Sequence, residues 1–339
     1  MAYPADTNRR KFFRPGKVLL ALALCMLIAA CGDDAKVAAD SAGLQLVCAD
    51  KAAVDGSSIF RAVRADARRW KIIEAQNVAM LQAVFERSDY DLESIRNRTS
   101  SVPRLILASL PPDIEKIDGV DARKAIFIST ILPAILQNNE RIVCERRYVL
   151  RLKEKLDEDT ALTERERMHL KALYRHYRSR DDIDALLARA DIVPPSLAIA
   201  QAAIESGWGT SRFAMIGNAL FGQRTTDLIR GLRPTGRSEE TKIRVRAFEG
   251  LAESVAAYAL NLNTHGAYEK FRADRASLRR RHAEIAGMRL AETLTRYSER
   301  GGDYLHDLML IIATNRLHAF DGVQLKGAES VENGRESDA

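Results

Sequence analysis

Apolar residues recur at helical spacing along most of the chain. From Ser58 to Arg98, positions Trp70, Ile73, Asn77, Met80, Leu81 and Val84 fall three and four residues apart, which predicts a helical arm charged on its other face. Thr99-Ser100-Ser101-Val102-Pro103 is a break, and Leu105 to Pro112 is a short apolar piece closed by a Pro-Pro turn. Asp121 to Tyr148 predicts a long helix with Ile126, Phe127, Thr130, Ile131 and Ile135 on its apolar side, and Pro133 is expected to kink it. The amphipathic pattern continues to Leu156. Thr163-Glu164-Arg165-Glu166 reads as a capping box for a helix carrying Met168, Leu170, Leu173 and Tyr177, and Asp181 to Ala190 reads as another short helix.

The stretch from Pro194 to Gly209 is the most informative. Pro195 suits a first helical position, since its missing N–H would have no partner there. Leu197, Ala200, Gln201 and Ile204 follow the spacing of one buried face, and Gly207 can take the left-handed cap that ends a helix. Glu205 is thereby placed in the last turn, where unpaired carbonyls repel negative charge, beside apolar Trp208. Both effects push its carboxyl toward the protonated form, although a water-facing helix-end glutamate is the simpler reading on residue type alone.

Beyond it, Gly217 to Gln223 is a glycine-bounded loop, and Arg224 to Ser238 reads as an exposed loop or hairpin tip. Lys242 to Phe248 alternates apolar and basic residues and predicts one half-buried strand, the chain's only convincing one. Helices follow at Leu251 to Asn263, around Leu290, Leu294 and Tyr297, and from Tyr304 through Leu308, Ile311 and Ile312 toward Phe320. The end of the chain is polar and without periodicity. The pattern is mainly α.

Composition agrees, with only 6% aromatic residues in 339. Of the formal +6 net charge, +4 lies in the first thirty residues, where Arg9, Arg10, Lys11, Arg14 and Lys17 face Asp6 alone. The remainder is near neutral, which argues against nucleic acid as a partner. That basic start runs into the apolar segment Val18 to Ala30, too short to span a bilayer. Its end, Leu27-Ile28-Ala29-Ala30-Cys31-Gly32, resembles a bacterial lipoprotein signal, in which Cys31 is acylated. Asn8 to Phe13 loosely resembles a twin-arginine export signal. The expected partner of the N-terminus is a lipid bilayer, and the expected location is the periplasmic side of the envelope. Gly32 after the cysteine leans toward the outer membrane.

With Cys25 lost with the signal and Cys31 acylated, Cys48 and Cys144 remain and can pair in an oxidising compartment. No cofactor is expected, and the six histidines show no metal-ligand spacing.

Three ordered stretches carry a family likeness: Pro194 to Leu197 with Gln201 to Ser211; Gly217 to Gly222; and Asn261 to Thr264 with Ala267-Tyr268, followed by Tyr297 to Gly301 and Tyr304. They resemble the glucosaminidase domain of peptidoglycan hydrolases, and within it the Bax-type proteins. The resemblance covers roughly Leu105 to His318. It implies a lysozyme-like helical fold with a small β-hairpin, cutting the β-1,4 bond after N-acetylglucosamine in peptidoglycan strands.

Together with the patterns above, the chain is expected to divide into a signal (1–30), a tether (31–57), a helical arm (58–104), a hydrolase domain (105–320, catalytic part 190–320) and a disordered tail (321–339). Glu205 matches the family's general acid. Tyr297 resembles the tyrosine across the cleft, and Asn218 and Phe221 resemble cleft-lining residues, with Ala219 where the family more often has a second asparagine. Glu239 and Glu240 are the candidates for a second carboxylate, or are solvated loop residues. Gln201 shares a face with Glu205 and can hydrogen-bond its carboxyl or a sugar. Trp208 and Phe221 are candidates for stacking on sugar rings or for core packing. Two other readings stay open: a muramidase or lytic transglycosylase, and a lipid-anchored scaffold without activity.

Overall fold

The computed structural model describes residues 71–227, 229, 231–233 and 243–327. The signal, the tether, Cys31, Cys48, Glu239 and Glu240 lie outside the described residues, as does part of the arm. The architecture is mainly α. In order come β1 (Lys71–Ile73), α1 (Val78–Arg87), α2 (Leu92–Arg96), β2 (Leu105–Leu107), α3 (Val120–Asp157), α4 (Glu164–Tyr177) and α5 (Ile183–Arg189). Then follow α6 (Pro195–Ser206), α7 (Arg212–Gly217), β3 (Arg224–Thr225), β4 (Gly231–Leu232), β5 (Arg244–Arg246), α8 (Leu251–Thr264), α9 (Glu269–Arg280), α10 (Gly287–Ala291) and α11 (Gly302–Thr314). A final 3-10 turn spans Leu317–Phe320.

The centre is α6. The sequence predicts an amphipathic helix with one buried face, but α6 is buried almost all round, from Pro195 through Ala203. Its alanines are small enough to let α3, α10, α11 and the 3-10 turn close in on every side. Ile204, expected in the core, is only half-buried.

Around this axis α3 runs 38 residues with Pro133 inside it, and the amphipathic continuation expected to Leu156 is part of the same helix. Its first part joins the main core with Phe127, Ile131 and Ile135. Its second part, with Tyr148, Val149 and Leu152, builds a smaller core against α4 and α5. The expected capping box is present, Thr163 Oγ1 accepting from the Glu166 backbone while Glu166 accepts from the Thr163 backbone. Cys144 on α3 is disulfide-bonded.

The helical arm needs correction. Residues 71–73 are a strand, β1, paired in parallel with β2, so the boundary expected at 104/105 falls beside a hydrogen-bonded sheet. Ile73, Leu81, Val84, Phe85 and Ile95 belong to the main core. Helical spacing read across this segment merged a strand with α1, because a strand of only three residues, Lys71-Ile72-Ile73, is too short to distinguish the two periods. The expected hairpin is a three-stranded antiparallel sheet, in which β5 lies between β3 and β4. The helix expected to include Leu294 and Tyr297 is short, ending at Ala291.

The tail also begins later than expected. Leu325 is buried and bridges Val102, and the Asp321 carboxylate accepts from Ser196 N (2.8 Å), Ser196 Oγ (2.8 Å) and Gly287 N (2.9 Å). Asp321 thus supplies the side-chain cap that Pro194, at the N-cap position of α6, does not provide.

Candidate active site

The acid end of α6 is shaped by a tight turn. Gly207, Trp208 and Gly209 are all left-handed, with φ of 60°, 57° and 83°. The turn is held by Trp208 N to Ala203 O (3.0 Å), Ser211 N to Ser206 O (2.9 Å) and Gly209 N to Ser206 Oγ (2.9 Å). Gly209 is required twice over, since a Cβ there would stand 2.9 Å from the Phe127 ring and 3.0 Å from Leu110. The Trp208 ring turns onto the body, edge-on to Phe127 at 5.8 Å with the Lys124 amine 5.3 Å from its centre. It stiffens the turn, and packing is the role its contacts describe.

Glu205 projects from the last turn of α6 toward the loop after α7. Burial pushes its carboxyl up to about 7, while the nearby Tyr304 hydroxyl and the charges of Arg224 and Arg300 pull the other way. Desolvation is the dominant cause. The loop meets it with Gly222, whose absent Cβ would lie 3.2 Å from Glu205 Oε2 at a φ of 61°.

Behind Glu205 lies a buried polar line. Gln201, one turn earlier on α6, has no exposed surface, so it does not reach a sugar as expected. Its Oε1 accepts from the Tyr258 hydroxyl on α8 (2.6 Å), and its Nε2 donates to the Tyr304 hydroxyl on α11 (3.0 Å). Both ends of its amide are thus taken by tyrosine hydroxyls rather than by the Glu205 carboxyl.

Tyr297 is buried and stacks on Tyr304, ring centres 5.4 Å apart and 16° from parallel. Its other neighbour is Tyr268, at 5.9 Å. Burial holds the Tyr297 and Tyr304 hydroxyls well above the usual tyrosine range, and for both the charge of Glu205 adds to the rise. Phe221 is buried and stacks flat on Tyr258 at 3.9 Å and 6°. One face of its ring is thus already covered, so a sugar-stacking role is not what this placement provides.

Asn218 is the left-handed cap of α7, and its Nδ2 donates to Phe248 O (3.2 Å), joining the loop to the segment after β5. Its Oδ1 has no partner among the described residues. Ala219 is buried, so the departure from the family pattern is a change in the core rather than a lost contact at the cleft surface.

The structure thus brings Glu205, Tyr297 and Gln201 together, ties Asn218 and Phe221 to the supporting loop, and turns Trp208 onto the body. Sequence reading assigned no role to Tyr304, Tyr258, Gly222, Arg224 or Arg300. Tyr304 carried a signal in its place seven residues after Tyr297 in the family stretch, whereas Tyr258 looked like one more apolar position of α8.

Comparison with known proteins adds to this geometry. Residues 181–317 match a family model described as Glucosaminidase: Mannosyl-glycoprotein endo-beta-N-acetylglucosaminidase. The chain is 33% identical over 215 residues to Protein bax of Escherichia coli (strain K12), covering 60% of this chain and 74% of that one. No solved structure gives a significant match.

Proposed function

The chain belongs to the Bax-type glucosaminidase family, and from that membership we propose that it cleaves the β-1,4 bond after N-acetylglucosamine in peptidoglycan strands, with Glu205 as general acid. The family domain supports the broader assignment to peptidoglycan-related glycosidases. The observation that carries the finer one is a carboxyl at the end of a buried helix, raised by burial to about 7. Glycoside cleavage needs a donor that still holds its proton near neutral pH, and this group does.

Once the proton has passed to the glycosidic oxygen, the carboxylate left behind is met by the Tyr304 hydroxyl and the charges of Arg224 and Arg300. Both protonation states therefore have support in place. Tyr297, stacked on Tyr304, is the second site residue of this reading. The group opposite Glu205 is either a carboxylate, for which Glu239 and Glu240 are candidates, or the N-acetyl group of the substrate.

Digestion of peptidoglycan by the full chain, with analysis of the new reducing ends, tests the assignment. N-acetylglucosamine ends that vanish in Glu205→Gln support it. Muramic or anhydromuramic ends would instead mean a muramidase or a lytic transglycosylase, and glycan binding without cleavage would mean a scaffold.

We propose further that Cys31 is acylated and that the protein faces the periplasm from a membrane, the outer one by preference. The disulfide at Cys144 supports an oxidising compartment. Mass spectrometry of the N-terminal peptide checks this, and a mature chain without lipid on Cys31 would overturn it.

A further inference from the structure

Cys144 is disulfide-bonded, and no other cysteine falls among the described residues. Its partner is therefore Cys25, Cys31 or Cys48, all of which precede Lys71. Cys144 is only 7% exposed, which keeps its sulfur from a second copy of the chain. The chain also joins the body close by. Lys71 N donates to Arg104 O (3.1 Å), and the Arg104 guanidinium holds Glu140 of α3 through two bonds, of 2.8 and 2.6 Å. Cys144 lies one helical turn beyond Glu140 on the same face of α3.

The same helix shows how far this point is from the acid. Phe127 meets Gly209 and Trp208 at the acid end of α6. Further along α3, Asn139 brackets Val193 just ahead of the start of α6, Nδ2 donating to Val193 O (2.8 Å) and Oδ1 accepting from Val193 N (3.2 Å). Cys144 is beyond Asn139 again, about 25 Å along the helix from Phe127.

We propose that Cys48 is the partner, and that the Cys48–Cys144 disulfide clamps the tether to the end of the body remote from Glu205, shortening the leash between lipid and hydrolase. This rests on the reading of Cys31 as the lipidated residue, since that sulfur then carries lipid and Cys25 leaves with the signal. Forming the bond joins two sulfurs and takes two electrons and two protons from the Cys48 and Cys144 thiols. They pass to a disulfide-bearing oxidoreductase of the envelope, which is left as a dithiol.

Cys48 lies 17 residues beyond Cys31, a stretch that reaches at most about 60 Å whatever its conformation. Lys71 lies 40 residues beyond Cys31, a reach of about 140 Å. The clamp thus more than halves the greatest distance from bilayer to body, and with it the depth of wall open to the enzyme. The point of attachment stays away from the acid, so the leash does not cross the site.

Peptide mapping of the lipidated full chain without reductant tests the pairing. One linked pair of peptides, holding Cys48 and Cys144 and separated by reductant, is expected. A link from Cys144 to Cys31 or Cys25 overturns both the clamp and the lipidation. Lipid on Cys31 with a free Cys48 thiol, or a disulfide-linked dimer, overturns the clamp alone. Neutron reflectometry of the full chain on a supported phospholipid bilayer tests the leash without recourse to activity. The protein layer is expected to move outward by about 10 Å or more in Cys48→Ser, and equally in the parent after reduction. Unchanged profiles overturn the shortened leash, whereas a parent that does not bind the bilayer overturns the lipidation beneath it.

Discussion

Gly222 lies against the carboxyl of Glu205, close enough that a single added methyl would stand 3.2 Å from Oε2. The backbone there is left-handed, so the position excludes side chains both sterically and conformationally. Gly222→Ala is expected to cost about 1–2 kcal/mol of stability through backbone strain and to reduce turnover by displacing the acid. Gly209→Ala is the control. Its methyl would meet Phe127 and Leu110 in the core, so it should lower the melting temperature more than Gly222→Ala while disturbing the carboxyl less. Thermal melts paired with peptidoglycan turnover check both.

Rate against pH should show an alkaline limb near pH 7, because burial holds the Glu205 carboxyl at about 7 and only its protonated form donates. Turnover should fall about tenfold for each pH unit above that limb. A limb near the ordinary carboxylate value of 4.5 would remove Glu205 from the role of acid.

Glu205→Gln separates activity from stability. Removing a general acid should cost about 10²–10⁴ in turnover. The folded protein, however, holds the Glu205 proton more tightly than the unfolded chain does. Its stabilising contribution is complete below pH 4.5 and is lost as pH rises through 7, where the buried carboxylate costs about 3 kcal/mol. The glutamine variant should thus melt higher than the parent at pH 8 and nearly with it at pH 4.5.

Asp321→Ala leaves the Ser196 N–H, the Ser196 hydroxyl and the Gly287 N–H without their acceptor. A loss of about 2–4 kcal/mol is expected by denaturant titration. Because the substitution sits at the opposite end of α6 from Glu205, turnover per folded molecule at low temperature should change little.

The sequence was most legible where local chemistry decides structure. The Thr163 capping box, Pro195 at the first turn of α6 and the left-handed Gly207 all act through near neighbours, and all three appear as expected. The setting of Glu205 was legible in direction, with burial rather than the helix end as the dominant cause. What sequence could not show depends on partners far along the chain. β1 is a strand because β2 lies beside it, and Gln201 is buried between two hydroxyls because Tyr258 and Tyr304 meet it from positions 57 and 103 residues away. The all-round burial of α6 hid for the same reason, since alanine carries almost no amphipathic signal and only the assembled neighbours fill every side.

The cap that Asp321 places on Ser196 closes a loop of 125 residues. Closing so long a loop is entropically slow compared with winding the helices it contains. At the other end of α6, the bond from Gln201 to Tyr304 spans 103 residues, so the surroundings of the acid are likewise expected to form late on the folding route. A refolding chain would regain helical dichroism first and bond-cleaving competence afterwards, with the interval set by when residues on either side of the cleft-bearing segment find each other.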